Sequence, residues 1–222
     1  MLTDAKKKEL LVFYTIVQTN KCSLRELSQV LSILKRTIKE IIRKLNGTIF
    51  QQLSIPRFIY STAKGELKLD SQHKDEKMAI FHYIKLFFLR ESNRFNFLLL
   101  LFDSPHSRVS KKILLEKLYI SPSYLEKLTN QLNKSLKKFH LQIISRQNCY
   151  ILKGDELSIR IYMYFFFSDA FQGIDWPLTN MKLSQVKHTH LSNELLMTKK
   201  TSKIQEKVYL LVAIFLMRSA HH

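Results

Sequence analysis

Apolar residues in the first half of the chain recur at helical spacing, in runs parted by short polar connectors. Lys7 to Gln18 reads as one such helix. In the stretch SLRELSQVLSILKRTIKEIIRKLN (residues 23–46), Leu24, Leu27 and Leu31 form the stripe of a short helix, and Ile38, Ile41, Ile42 and Leu45 form that of a longer one. Ser23 followed three residues later by Glu26 is the capping-box pattern that starts a helix. Ile33 falls in the turn, where one apolar side chain can pin two helices at a steep angle. The next segment, RFIYSTAKGELKLD, alternates apolar and polar residues around Ala63, Lys64 and Gly65, as a β-hairpin does.

The pattern then repeats. Residues 110–133, SKKILLEKLYISPSYLEKLTNQLN, lie over residues 23–46 without a gap. Leu27 falls on Leu114, Leu31 on Leu118, Ile33 on Ile120, Ile38 on Leu125, Ile41 on Leu128 and Leu45 on Leu132, while Ser23 meets Ser110 and Asn46 meets Asn133. An apolar helix, Phe95 to Asp103, precedes this copy, and a second hairpin pattern, LQIISRQNCYILKG, turns around Arg146, Gln147 and Asn148. With only four glycines and four prolines, the chain has little material for an all-β fold. The expected fold is mainly α, with two tandem winged helix-turn-helix domains that carry small β-hairpin wings, followed by C-terminal helices. The expected boundaries are 1–72 for the first winged domain, 73–154 for a linker helix and the second, 155–180 for an aromatic-rich helix, and 181–222 for a helical tail.

Charge gives this architecture a direction. The formal net charge is +18. Residues 1–70 hold 13 basic and 6 acidic side chains, residues 71–154 hold 15 and 6, and residues 155–222 hold 8 and 6. Both repeats are therefore strongly basic and the tail nearly balanced, which points to a polyanionic partner for the repeats.

On the third helix of the first repeat, the face away from the apolar stripe carries Lys35, Arg36, Thr37, Lys39, Glu40, Arg43 and Lys44. Such a helix fits the DNA major groove, where Arg can donate twice to guanine and Lys or Thr can hold phosphates. The matching face of the second repeat offers Tyr124, Lys127, Asn130, Gln131 and Lys134, entered through Ser121, Pro122 and Ser123. Ser121 and Pro122 also suit the ordinary start of a helix. Asn and Gln can read adenine edges or be plain polar surface. On the wings, Lys64 and Lys68, and Arg146 with Asn148, could reach backbone or minor groove, although hairpin tips are commonly polar for solubility alone.

The expected function is control of transcription by binding double-stranded DNA. Two other readings compete with it: an RNA-binding regulator of the antiterminator kind, and a winged module turned to protein docking. Recognition helices match B-DNA better than the narrow major groove of A-form RNA, and the basic excess argues against docking.

Residues 155–172 read as a helix whose Tyr162, Tyr164, Phe165, Phe166 and Phe167 make it too apolar all round to be exposed, so that it packs the two winged units together. A stacking platform for single-stranded bases is disfavoured, because such platforms sit on sheets with basic neighbours. The apolar run Val208 to Met217, closed by Lys207 and Arg218, is about half of the roughly 20 residues a membrane span needs. It reads as a buried helix or as a homodimer contact through the C-terminal helices.

No phosphate loop, catalytic motif or Cys cluster occurs, so no enzyme activity, cofactor or metal site is expected. His188 and His190 read as a solvated stretch, and Cys22 and Cys149 as packed or surface thiols in a reducing cytoplasm.

Three segments together carry a family likeness: the early unit with SLRELSQVL, TIKEIIRKLN and the STAKGELKL wing, the second unit over residues 94–153, and the run KGDELSIRIYMYFFFSDAFQGIDWPL. Over roughly residues 5–180 the chain resembles the N-terminal, DNA-binding half of the Mga-type virulence and global regulators of Gram-positive bacteria. The resemblance implies a transcription activator or global regulator with two winged units, often followed by helical domains similar to those phosphorylated by the sugar phosphotransferase system. Such a domain needs on the order of 100 residues, so it is expected to be absent or cut off here, with residues 190–219 as its first helix or two. None of His188, His190, His221 or His222 is assigned to phosphorylation.

Overall fold

A computed structural model describes residues 1–19, 22–172 and 174–178, with isolated helical positions beyond them at 186, 207, 209–214 and 216. It divides into two compact units, Met1–Phe88 and Leu89–His222.

In the first unit, α1 (Asp4–Gln18) leads through the short strand β1 (Cys22–Ser23) to α2 (Leu24–Leu31) and α3 (Lys35–Leu53); β2 (Ile59–Ser61), β3 (Glu66–Leu69) and α4 (Lys77–Arg90) follow. The stripes expected from the sequence are the core. Val12, Phe13, Ile16, Leu27, Ile33, Ile38, Ile41, Ile42, Leu45 and Ile49 are buried together, and Ile80, Phe81, Ile84 and Phe88 of α4 join them. Each such side chain contributes roughly 1.5–3 kcal/mol of transfer free energy. Phe13 anchors the cluster, with the Phe58 and Phe81 rings edge-on at 6.1 and 5.4 Å.

The second unit repeats this order: α5 (Asn93–Asp103), a 3-10 turn, β4 (Arg108–Ser110), α6 (Lys111–Leu118), α7 (Pro122–Leu136), β5 (Gln142–Arg146), β6 (Cys149–Lys153), then α8 (Glu156–Phe171). Leu114, Leu125, Leu128, Leu132 and Leu136 are buried where the first copy buries its own leucines and isoleucines.

Both hairpins form where alternation places them, and each gains a strand that alternation does not reveal. The sheets run β1-β3-β2 and β4-β6-β5, all antiparallel. β1 and β4 are two and three residues long, too short to show a period of two. They matter because each leads straight into the second helix of its unit, so that the wing is stitched to the helical core.

The stitching uses the same bonds twice. Ser23 accepts from the Glu26 N–H at 3.2 Å while the Glu26 carboxylate accepts from the Ser23 N–H at 2.7 Å, completing the capping box. Those bonds hold the Glu26 carboxyl below the usual carboxylate range. Ser110 caps α6 through the Ile113 N–H at 3.2 Å. The carbonyls of the two wing-tip residues, Gly65 and Asn148, accept from the first N–H groups of α2 and α6, Leu24 and Lys111, at 3.2 and 2.7 Å. Both tip residues have positive φ, 79° and 57°.

The matched asparagines form a second pair of equivalent clamps. Asn46 donates to the Ile59 carbonyl at 2.6 Å and accepts from the Ile59 N–H at 2.9 Å. Asn133 does the same to Ile143 at 2.9 and 2.7 Å.

The aromatic helix requires a correction. Ile159, Met163, Phe167, Ala170 and Phe171 of α8 are buried, but Leu157, Ile161 and Phe165 are exposed. Composition alone hid this sidedness, because apolar residues occupy both faces. The inner face packs on α5 of its own unit. Phe95 stacks on Phe166 at 5.0 Å, and Phe102 meets Phe166 edge-on at 5.0 Å and Tyr162 at 5.9 Å.

In the run from Val208 to Met217, Leu210, Val212, Ala213 and Ile214 are buried and Leu211 is exposed. His188, His190, His221 and His222, and Val208, Phe215 and Met217 of that run, lie outside the described residues. Among the described residues no helix is long and apolar enough to cross a membrane, and no group of three or more His, Cys, Asp or Glu could hold a metal.

Two glycines test the packing in opposite directions. Gly47 is helical within α3, with no atom within 4 Å of an added Cβ, so Gly47→Ala should stabilise the protein by up to about 1 kcal/mol. At Gly154 an added Cβ would lie 2.3 Å from Cδ2 of the buried Leu141 and 3.2 Å from the His140 carbonyl oxygen. Gly154→Ala should therefore cost about 1–3 kcal/mol. Thermal melts of the two variants are expected to move apart, the first up and the second down.

Candidate nucleic-acid interface

With Ile38, Ile41, Ile42, Leu45 and Ile49 turned inward, α3 presents Lys35, Arg36, Lys39, Glu40, Arg43 and Lys44 to solvent, with Thr37 half-buried. The single acid hardly offsets the five cations. Glu40 pairs with Lys44 at 3.9 Å, both exposed, and an i,i+4 pair of this kind contributes only about 0.3–0.5 kcal/mol. A polyanion can exchange for it at small cost. On the wing, Lys64 sits exposed in the turn before Gly65, and Lys68 is exposed on β3 opposite Tyr60.

The outer face of α7 is less charged and more varied. Ser121, Ser123, Tyr124, Lys127, Asn130 and Lys134 are exposed. Ser121 accepts from the Tyr124 N–H at 3.3 Å and lies 3.1 Å from the Ser123 hydroxyl, so its first role is the helix cap.

Gln131, for which the sequence left open an adenine contact or plain polar surface, is held by a neighbour. It is half-buried, and its side-chain oxygen accepts from Nε and Nη2 of Arg94 at 3.1 and 2.8 Å. Bidentate adenine recognition needs that oxygen, which leaves Asn130 as the amide able to supply both groups. Arg94 lies on α5, 37 positions away in the chain, and nothing in the local pattern pairs it with Gln131. Arg146 is exposed at the end of β5, next to the two-residue tip Gln147–Asn148.

Sequence reasoning also passed over exposed residues beside these faces. Leu34, at the N-cap of α3, is 76% exposed, and Lys137 and Lys138 extend the basic surface just past α7. The lysines could have been found from charge alone. The leucine could not, since leucine at such a position ordinarily signals core. Cys22 is buried and Cys149 half-buried, both as free thiols.

Three helices closed by a three-stranded antiparallel wing, with the third helix presenting a polar face, define a winged helix-turn-helix unit, and each half of the described chain builds one. Comparison with known proteins narrows the class. Residues 79–167, the second unit with most of the helix before it, match the Mga helix-turn-helix domain, and the Mga likeness read from the residues is borne out. The chain is also 21% identical over 155 residues to a "Putative trans-acting regulator" of Streptococcus pneumoniae serotype 4. That match covers 70% of this chain and 29% of the length of the relative.

Proposed function

We propose that this chain regulates transcription in the cytoplasm by binding double-stranded DNA, with α3 and α7 as the recognition helices of tandem winged units and the wings reaching the adjacent backbone. The observation that carries the reading is the outer face of α3, where Lys35, Arg36, Lys39, Arg43 and Lys44 all stand exposed on a helix whose opposite face is fully buried. A helix with side chains is about 10–12 Å across, and the major groove of B-DNA is about 12 Å wide. Cations on the leading helix then meet phosphates on both walls. The likeness to a trans-acting regulator supports the same role.

Titration against equal-length DNA and RNA duplexes at several salt concentrations tests the proposal. Contact with roughly 6–10 phosphates should lower DNA affinity by about three to five decades between 50 and 200 mM salt. DNA should bind more tightly than RNA. Equal or tighter RNA binding would favour an RNA regulator, and salt-independent or absent binding to both would favour a protein-docking module.

A further inference from the structure

Leu34 stands at the end of α3 that would lead into a groove. It occupies the N-cap, is 76% exposed, and makes no side-chain hydrogen bond to the helix it begins. The matching residue in the second unit, Ser121, caps α7 through the Tyr124 N–H. Serine at an N-cap favours the helix severalfold over an apolar residue, and a leucine left in water gains nothing from folding. The first unit thus gives up stability at a position where its own repeat shows how to keep it. The adjacent Ile33 is buried and pins the turn, so core packing does not account for Leu34.

The surroundings narrow the choice of contact. Lys35, Arg36 and Lys39 are exposed just beyond Leu34 on the same helix, and Val30 in the last turn of α2 is also exposed. An apolar side chain beside several cations is complementary to one feature of duplex DNA, the 5-methyl group of thymine in the major groove between phosphate walls. We infer that Leu34 reads thymine through that methyl group, giving the first unit a base preference that its cationic face does not supply by charge alone. The inference rests on the DNA-binding reading above.

The test uses one A·T-rich random duplex pool, amplified once with thymidine and once with deoxyuridine, so that the pools differ only in the methyl group. In competition, the wild-type protein should prefer the thymidine pool by about fourfold, the ratio expected for burying one methyl group. Leu34→Ser should bring that ratio to one while still binding DNA, and should melt no lower than wild type because it restores a cap. Leu34→Met, apolar and flexible, should keep the preference. Should the serine variant misfold, Leu34→Asn supplies another capping side chain and is expected to behave as the serine does.

An unchanged ratio in folded Leu34→Ser, or a wild-type ratio of one, overturns the assignment. Loss of all DNA binding in that folded variant also overturns it, since one methyl contact is worth only a few-fold. Failure of wild type to bind either pool in a salt-dependent way sinks the DNA reading itself, which is a different result from binding without methyl preference.

Discussion

Replacing Asn133 with alanine is expected to lower the stability of the second unit by about 2–4 kcal/mol, far more than a half-exposed polar residue ordinarily contributes. The side chain satisfies both the N–H and the carbonyl of Ile143, a residue only 2% exposed. Alanine removes both partners, and an unmade bond at a buried backbone group costs about 1–3 kcal/mol. Asn46→Ala should cost a similar amount in the first unit, because Ile59 is 1% exposed and is clamped in the same way. For a unit of this size, roughly 10–25 °C of melting temperature is at stake. A shift of less than a few degrees in both variants would mean that the wings are held by their strand ladders and core side chains alone.

The second large effect concerns binding and leaves the fold intact. Arg36→Ala, Lys39→Ala and Arg43→Ala together remove three exposed cations from α3 and none of its buried side chains. Each phosphate contact contributes about 0.9 to the slope of log affinity against log salt, so the slope should fall by up to about 2.7. At 100 mM salt the affinity should drop by roughly two to three orders of magnitude. The melting temperature should stay within a degree or two, since exposed side chains off the apolar stripe contribute little to stability. Unchanged affinity in the folded triple variant would move the principal contact to α7 and its wing.

Several of these features can be read from the residues, and the reason differs from one to the next. The stripe of Ile38, Ile41, Ile42 and Leu45 and its counterpart in the second copy are legible because burial on one face imposes helical spacing. The capping box is legible because Ser23 and Glu26 act within one turn. Asn46 and Asn133 stand out as matched positions, but their clamping role depends on strands 13 and 10 residues further along and needs the fold to be seen.

Other features are tertiary from the start. Arg94 restrains Gln131 through a contact that no local pattern encodes. The strands Cys22–Ser23 and Arg108–Ser110 take their identity from their partners in the sheet rather than from their own residues. α3 runs on to Leu53 past Gly47, beyond the repeated stretch 23–46, because Ile49 continues the buried stripe and offsets the helix cost of one glycine. In α8, side-chain chemistry is nearly uniform around the helix, so only packing against Phe95 and Phe102 distinguishes Phe166 from the exposed Phe165.

The most direct test of the whole account is to map which lysines a DNA duplex shields from acetylation, read residue by residue by mass spectrometry. Lys35, Lys39 and Lys44 on α3 and Lys127 and Lys134 on α7 should be strongly protected. Lys7 and Lys8 should react as in the free protein, because they project from α1, which packs against the buried side of α3. Protection of Lys7 and Lys8 with continued reactivity along α3 and α7 would contradict the assignment of these helices as the DNA-reading surfaces.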